Sequence, residues 1–345
     1  MLYVTTRDPN DAYTANRALS ENRCPEGGFF VPMRLPHFDE SAIAALAEKS
    51  FSQNVADILN LLFGTQLDGW GVEFGVGRYP VKLVSLNSRT VVAESWHNPM
   101  YRFERLASGI EKAVRQSDQI NQAPTDWLMI ASRIATLFGI VGQLFQNGTL
   151  TKGQKLDISL AAGNFSAPMA ARYARAMGLP IGMIVCSCNE NTALWNLFHK
   201  GQLQTGAVAG WTHTPDCDYA LPDDLERLIF ATLGREETER YCKACRFGEQ
   251  YELESEQMNR LREGLYISVI SDKRMASTIP NLYKTTGFVP SPKTALAYSG
   301  LMDYRAATGE SRPALLLSEE SPMFSLKFAA ECMNITPAEL KQILD

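Results

Sequence analysis

The sequence predicts an α/β fold built on a parallel sheet, and residues 155–200 carry this prediction. In that segment LDISLA is typical of a strand, AGNFSA of a loop, and PMAARYARAMG of a helix with Pro168 at its first position. The strand IGMIVCS, the polar loop CNEN and the helix TALWNLFHKG follow. Strand, loop and helix repeated in this way form a parallel sheet whose faces are covered by helices. Because ligands bind beyond the carboxyl ends of such strands, we expect 163–167 and 189–191 to share one rim.

Flanking segments predict a two-part organisation. Residues 39–64 place apolar side chains at helical spacing, with Asp39 or Ser41 as a cap, and predict a helix. Residues 79–94 read as two short strands around a Leu-Asn-Ser-Arg turn, and a mostly helical stretch runs on to about 146. We therefore expect a helical N-terminal lobe over 1–80 and an α/β main domain over 81–345.

Size and charge narrow the class of protein. A chain of 345 residues that is 45% hydrophobic can bury a large core. The net charge is −5 and the basic residues are scattered, which argues against a nucleic-acid partner. No run of residues approaches the roughly 20 apolar positions of a membrane helix, and the N-terminus lacks the pattern of a signal peptide. We therefore expect a cytoplasmic protein without a membrane partner.

The seven cysteines predict free thiols rather than a disulfide framework or a metal site. Cys242 and Cys245 form a lone CxxC in a helical pattern, with no second pair at zinc-ligand spacing. Cys186 and Cys188 alternate along a predicted strand and should pack on one side of it. We expect no bound metal.

The loop after the first predicted strand is a candidate anion site, since free N–H groups and the helix dipole favour negative charge at a helix N-terminus. A single glycine followed by Asn is also typical of an ordinary strand-to-helix turn, and Pro168 removes one donor. The candidate binding residues are those of this loop: Gly163, Asn164, Phe165, Ser166 and Ala167.

At this point six segments, in order, resemble the threonine synthase family of pyridoxal phosphate (PLP) enzymes of fold type II. They are YVTTR, PEGGFFVP, AGNFSAPMAARYARAMGLPIGMIVCSCNEN, HTPDCDYALPDDLERLIF, SPKTALAYSGLMDY and PALLLSEESPMF. The resemblance implies a fold-type II architecture similar to the tryptophan synthase β subunit, with PLP as the family cofactor. It also implies that the 163–167 loop is the family's phosphate loop.

The chain departs from the family at the lysine that forms the imine with PLP. The family pattern E-x-x-H-G-P-T-x-x-F-K-D is matched by Glu94, His97, Pro99 and Phe103, but Glu104 stands in place of the lysine. A carboxylate cannot form the imine, and the neighbouring guanidinium groups stay protonated. Lys112, two helical turns beyond, is too far along the helix to point at the same spot.

Three further departures remove parts of the same chemistry. Only a short stretch separates the lysine motif from the next helix, so we expect a truncated substrate lobe over about 104–150. Glu319 replaces the threonine that faces the cofactor ring nitrogen in the family. Ser166 replaces a glycine of the phosphate loop, where its side chain could crowd a phosphate or donate to one.

These observations leave three hypotheses. The first is a pseudoenzyme with a ligand-binding, regulatory or scaffold role, to which PLP does not bind covalently and which binds a phosphorylated small molecule or forms a homo- or hetero-oligomer. The second is an active threonine synthase that converts O-phosphohomoserine to threonine and phosphate with a lysine from elsewhere. The third is a different enzyme in which Glu104 acts as a general base beside His97. Against the third, Glu104 could form only a surface ion pair and His97 could be structural.

One more polar cluster is left unassigned by the sequence. Trp211, His213 and Asp216 crowd a single loop, which is weak evidence of a site.

Overall fold

A computed structural model describes residues 1–8, 10–77, 81–97, 103–115 and 126–345, without the side chains of Glu104 and Arg105. The strands of this part of the chain are β1 (Leu2–Thr5), β2 (Tyr13–Thr14), β3 (Phe30–Pro32), β4 (Lys82–Asn87), β5 (Thr90–Glu94), β6 (Leu156–Ala161), β7 (Ile181–Cys188), β8 (Gln202–Gln204), β9 (Gln250–Glu252), β10 (Leu265–Val269) and β11 (Ala314–Ser318).

The helices cover more of the chain than the strands do. They are α1 (Ala15–Ser20), α2 (Glu40–Ala44), α3 (Phe51–Phe63), α4 (Gly69–Val76), α5 (Phe103–Arg115), α6 (Asp126–Gln146), α7 (Ser166–Ala176), α8 (Ala193–Lys200), α9 (Leu225–Leu233), α10 (Arg235–Phe247), α11 (Ser255–Arg262), α12 (Asp272–Thr286), α13 (Pro292–Thr308), α14 (Leu326–Met333) and α15 (Pro337–Leu344).

The central sheet has six strands in the order β10-β7-β6-β11-β5-β4. Its neighbouring strands are parallel except for the β4–β5 hairpin at the edge. Two small antiparallel sheets, β2-β1-β3 and β8-β9, lie outside it. The mixed α/β class with a mostly parallel sheet is therefore confirmed. The carboxyl ends of β5, β6, β7 and β11 meet at one rim, and the candidate loops 163–167 and 189–191 follow β6 and β7 there.

The predicted units of the α/β segment are largely confirmed, with one correction. β6 has the bounds read from LDISLA, and β7 and α8 follow in the expected places. Pro168 is not the first helical residue, because α7 begins at Ser166. The helix starts earlier since the loop turns sharply at Phe165, whose φ of 71° is left-handed.

The helix predicted over 39–64 is divided in two. Asp39 caps α2, as predicted, by accepting a hydrogen bond from the backbone N–H of Ala42. A second cap, Ser50, accepts from the N–H of Gln53 and starts α3. A serine that can cap competes with helix continuation, so a uniform apolar spacing did not reveal the break.

The expectation that no run reaches the length of a membrane helix was wrong for α6. This 21-residue helix is long and apolar enough by length and composition, but 83% of its most apolar window is buried inside the fold. Trp127, Ile134 and Phe138 are each at most 1% exposed and belong to the main core cluster. A long helix with most of its apolar residues buried fits the centre of a large core.

The largest core cluster contains residues on both sides of position 80. Tyr3 and Phe30 of the proposed N-terminal lobe share it with Trp127 and Phe165. The ring of Tyr3 packs edge-on against Trp127 at 5.4 Å between centroids. The division at residue 80 stays a prediction, and the boundary residues 78–80 lie outside the described part of the chain.

Two glycines bring α4 and α5 into backbone contact. A Cβ added at Gly75 would lie 2.2 Å from the carbonyl oxygen of Gly109, and a Cβ added at Gly109 would lie 2.3 Å from that of Gly75. No side chain fits there unless the helices separate. This close approach fixes the position of α5, the helix that begins beside the candidate site.

We predict that Gly75→Ala lowers the free energy of unfolding by about 1–3 kcal/mol, because the added methyl group overpacks the α4–α5 contact. Gly71→Ala on the same helix is the control, since its Cβ would meet its nearest neighbours at 3.4 Å or more. There the gain in helix propensity should make the change neutral or stabilising by up to about 1 kcal/mol. Urea unfolding of both variants checks this, and equal effects would contradict the close approach.

Candidate functional site

A cavity of about 320 Å³ opens at the rim where β6 and β11 end. Its walls come from the loop after β6, helix α6, the residue after β11, the start of α13 and the 216–224 segment. The polar residues that line it are Asp126, Arg133, Asn164, Ser166, Asp216, Tyr219, Asp224, Lys293 and Glu319. The loop residues Gly163 and Ala167 also line it, whereas Phe165 is fully buried beneath.

The predicted anion loop lies in this cavity, but some of its hydrogen-bond donors already donate to acceptors within the loop. The side-chain oxygen of Asn164 accepts from the backbone N–H of Ser166 at 3.1 Å and from its hydroxyl at 2.7 Å. The backbone N–H of Phe165 donates to the carbonyl of Ala162 at 2.9 Å. Ser166, which stands where the family has a glycine, therefore closes the loop on Asn164 and leaves fewer donors for a phosphate.

Glu319 immediately follows β11 and forms a buried ion pair in the cavity. The Nε of Arg133 donates to its Oε1 at 2.7 Å and the Nη2 to its Oε2 at 3.0 Å, a bidentate pair. The Nζ of Lys293 lies 3.6 Å from the same Oε2. Burial raises the pKa of Glu319, but the guanidinium of Arg133 and the ammonium of Lys293 outweigh it and lower that pKa to about 2. The carboxylate is ionised at neutral pH.

Glu319 also contacts the first residue of α5. The backbone N–H of Phe103 donates to the carbonyl of Glu319 at 2.9 Å, and the guanidinium of Arg133 lies 4.5 Å from the Phe103 ring centroid. Position 104, where the family has its lysine, is the next residue of α5. Its backbone therefore lies beside Glu319, whereas its side chain lies outside the described part of the structure.

His97 lies close to position 104 in the sequence, and its ring already contacts two other side chains. Its Nε2 is 2.6 Å from the Oε2 of Glu94, and its ring stacks on Trp96 with 4.0 Å between centroids. Trp96 in turn donates from Nε1 to the hydroxyl of Ser318 at 3.2 Å. These contacts favour the hydrogen-bonded structural role for His97. A partnership with Glu104 stays a prediction.

Three more carboxylates shape the potential of the cavity. Burial raises the pKa of Asp126 and of Asp224, and the guanidinium of Arg227 opposes that rise in both. Asp224 pairs closely with Arg227, which is fully buried. With Asp216 and Glu319, the described lining holds four carboxylates against two cationic side chains, Arg133 and Lys293. Arg227 offsets the charge of Asp224, so the carboxylates exceed the neighbouring cations by one, which is unfavourable for a dianionic phosphate.

Sequence reasoning missed Lys293 and Arg133 as cavity residues. Lys293 is the second residue of α13, after the cap Ser291 and Pro292, so its side chain starts from a helix N-terminus at the rim. The Ser-Pro-Lys pattern after a turn was a readable sign of that position. Arg133 had no local signal, because only the fold brings α6 to the end of β11.

Other expected residues lie away from the cavity. Lys112 is exposed on α5 and does not line it, as predicted. Cys186 and Cys188 are buried on β7, and burial raises the pKa of both thiols, which leaves them unreactive. Cys242 and Cys245 lie on α10 as predicted, with pKa values also raised by burial. Within the described residues no group of three or more His, Cys, Asp or Glu could hold a metal ion.

Comparison with known proteins identifies the relatives of this chain. Residues 2–69 match the family model described as the threonine synthase N terminus. The chain is 27% identical to human threonine synthase-like 1 over 159 residues, which are 45% of this chain and 21% of that protein. It is 36% identical over 92 residues to threonine synthase of Corynebacterium glutamicum, covering 26% and 19% of the two chains. The N-terminal segment therefore matches a threonine synthase domain, and further parts of the chain are similar to threonine synthases and threonine synthase-like proteins.

Solved structures agree on the fold. PLP-bound threonine synthase from Brucella melitensis superposes with a TM-score of 0.84 at 16% identity, covering 99% of this chain and 94% of that one. Yeast threonine synthase gives 0.81 at 16% identity, with 99% and 93% covered. The fold-type II architecture is therefore confirmed. The sequence matches span only about a fifth of the length of the first curated relatives.

The cavity residues do not fit a PLP group held as an imine at position 104. Glu104 supplies no amine, and Glu319 is already saturated by Arg133 and Lys293. Lys293 is the one lysine among the described lining residues, and in its ion pair it is an ammonium rather than a nucleophile. The loop donors that would receive the phosphate are partly used within the loop.

We predict that Glu319 contributes about 2–3 kcal/mol to folding near neutral pH, because its folded pKa lies below its unfolded value. For a depressed pKa this contribution is present above pH 4.5 and is lost as the pH falls toward 2. In the Glu319→Gln variant the free energy of unfolding should therefore fall less steeply between pH 5 and pH 3 than in the wild type.

Urea unfolding at several pH values measures this slope. Glu48→Gln removes an exposed carboxylate and is the matched control, for which the wild-type slope is expected. A Glu319→Gln slope identical to that of the wild type would contradict the ion-pair account.

Proposed function

We propose that this chain is a ligand-binding pseudoenzyme of the threonine synthase-like family, with a cavity that takes a small polar molecule without forming an imine. The observation that carries the proposal is the bidentate Arg133–Glu319 pair at the end of β11, beside the first turn of α5. It occupies the end of the cavity where the resemblance implies that the cofactor ring nitrogen lies.

The energetics of that pair support the absence of PLP chemistry. Both side chains are about nine-tenths buried, with 9% and 10% of their areas exposed. Separating a buried pair leaves an uncompensated charge at a cost of about 3–5 kcal/mol. A cofactor ring that entered here would have to offset this cost without a covalent bond at position 104.

An active enzyme is the second candidate, favoured by one observation. Lys293 lines the cavity, as a relocated imine-forming lysine would have to. Its Nζ lies beside Glu319. An imine-forming lysine must reach the aldehyde of the cofactor, whereas the resemblance implies that Glu319 faces the ring nitrogen. The pseudoenzyme is therefore the better-supported proposal.

The remaining sequence expectations stay predictions. A phosphorylated ligand at the 163–167 loop is disfavoured by the carboxylate excess of the lining, but a phosphate monoanion would still meet Arg133. Pairing with an active homologue, a homo-oligomer and a cytoplasmic location are untested. The third hypothesis, with Glu104 as a base, depends on a side chain outside the described part.

We predict that the purified protein forms no covalent adduct with PLP. After incubation and borohydride reduction, peptide mapping should find no modified lysine above the level of exposed surface lysines. The control is Lys341→Ala, which removes an exposed lysine of α15. A stoichiometric adduct that Lys293→Ala abolishes and Lys341→Ala preserves would overturn the proposal and support the active enzyme.

A gain of PLP binding is predicted when the two obstacles are removed together. Glu104→Lys supplies an amine, and Glu319→Thr with Arg133→Met removes the ion pair without leaving an unpaired guanidinium. We expect the triple variant to give a reducible chromophore that maps to position 104, and Glu104→Lys alone to give much less. If Glu104→Lys alone reacts as fully, the ion pair is no barrier.

A further inference from the structure

Helix α4 carries two aromatic side chains that lie almost wholly in solvent. Trp70 is 81% exposed and Phe74 is 83% exposed. They are four residues apart on a helix of eight residues, so their rings lie side by side on one face, which we call the aromatic ridge. Neither ring lines the cavity of the candidate site. Large apolar side chains grouped on a surface mark a contact with another molecule.

The ridge is held in place at both ends of α4. Asp68 caps the helix by accepting a hydrogen bond from the backbone N–H of Gly71 at 2.8 Å. Near the other end, the backbone contact between Gly75 and Gly109 fixes α4 against α5. A binding partner would therefore meet a preformed surface, and its binding would cost little ordering entropy on this side.

Beside the ridge, a groove runs between α4 and α5, at positions that have no side chain. Gly71 and Gly75 are four residues apart on the stripe next to the ridge, and Gly75 meets Gly109 of α5. Among the described residues, a Cβ added at Gly71 would have only Asp68 and Leu67 within 4 Å, at 3.4 Å and 4.0 Å. The floor of the groove is therefore backbone, with open space above Gly71.

Nothing in the described part of the chain requires glycine at position 71. Its φ is not in the left-handed region, and it is Gly75 rather than Gly71 that makes the close approach to α5. Glycine destabilises a helix interior relative to alanine. A close approach of another chain to this backbone is a condition under which glycine is needed here.

The charge of α4 lies on the far side of the ridge. Glu73 is the one charged residue within the helix, and successive residues turn by about 100°. Glu73 and Gly71 therefore lie on opposite sides of the two rings. A contact made by the rings and the groove leaves the Glu73 carboxylate at its outer edge, in water. Because α4 contributes no cation, the ridge is a poor match for an anionic membrane surface.

The exposed area fits a weak dimer. An aromatic side chain buries about 150–250 Å². At the exposure of Trp70 and Phe74, the ridge offers roughly 250–400 Å² per copy. A complex of standard size buries about 800 Å² per partner. The ridge therefore supplies roughly a third to a half of that area, and the groove and its borders are left to supply the rest.

We infer that α4 is a self-association surface, on which two copies of this chain pack with their α4 helices antiparallel about a two-fold axis. The ridge of each copy lies in the groove of the other, so that Phe74 of one covers Gly71 of the other. The two-fold axis makes both contacts identical and closes the assembly at a dimer. The inference does not depend on whether the cavity binds PLP.

Sedimentation velocity of the full chain at concentrations up to about 200 µM tests the inference. We expect a reversible monomer–dimer equilibrium with a Kd of about 10–100 µM, because the buried area is at the low end for specific complexes. A chain that stays monomeric over this range would overturn the inference. Assemblies that grow beyond the dimer would also overturn it, because they indicate a contact without two-fold symmetry.

Variants of the surface locate the contact. Trp70→Ala and Phe74→Ala should each weaken dimerisation by about tenfold or more, because each removes a ring from both halves of the interface. Gly71→Leu separates the proposed packing from general hydrophobic adhesion. Leucine adds apolar surface and would strengthen adhesion, whereas in the proposed dimer it fills the groove and should weaken dimerisation by about tenfold. Unchanged or stronger dimerisation in Gly71→Leu would refute the packing.

Two matched controls change exposed side chains outside the proposed contact. Trp211→Ala removes another tryptophan, which is 96% exposed, and Glu73→Gln removes the charge on the far side of the ridge. Both should dimerise as the wild type does. Loss of the dimer in either control would assign the contact to another surface or to charge and contradict the inference. Urea unfolding of every variant shows that a loss of dimer is not a loss of fold.

Discussion

A carboxylate at the end of β11 can lie inside this fold only because Arg133 and Lys293 face it. Glu319 thereby joins four elements: its own strand end, α6 through Arg133, α13 through Lys293 and α5 through the N–H of Phe103. The pair is costly to open and is ionised over the whole physiological range. The first residue of α5, the shape of the cavity and its charge all depend on it, whereas the contact between Gly75 and Gly109 holds the body of that helix.

The cavity lies in a fold-type II architecture, and its described lining carries the Arg133–Glu319 ion pair. The loop after β6 is still present at the N-terminus of α7, but Ser166 turns it inward onto Asn164. Carboxylates outnumber cations along the described lining. Each change acts on a separate part of the same binding event, and together they are the basis of the proposed pseudoenzyme function. Fold alone would not support that conclusion.

Much of the fold was predictable because local signals agreed with the tertiary structure. The bounds of β6, the parallel pairing with β7 and the cap at Asp39 follow from short-range patterns. The break before α3 and the start of α7 could not be predicted in this way. The first depends on a cap at Ser50 and the second on a left-handed backbone at Phe165, and both result from competing local contacts.

Those parts of the candidate site that lie within one short segment could be predicted from the sequence, and contacts between distant segments could not. The 163–167 loop and the substitutions at 104 and 319 could be read from aligned motifs. The pairing of Glu319 with Arg133 joins positions 186 residues apart, and no periodicity encodes such a contact. His213 and Asp272 are 59 residues apart, and their contact was equally hidden, although His213 stood in a cluster that the sequence did mark.

The most direct measurement is a crystal structure of the protein grown with excess PLP. The account predicts an intact Arg133–Glu319 pair, with Nε and Oε1 about 2.7 Å apart, and no density continuous between any lysine and a pyridine ring. An opened pair with a ring bonded through an imine to Lys293, or to a lysine from outside the described segments, would contradict it.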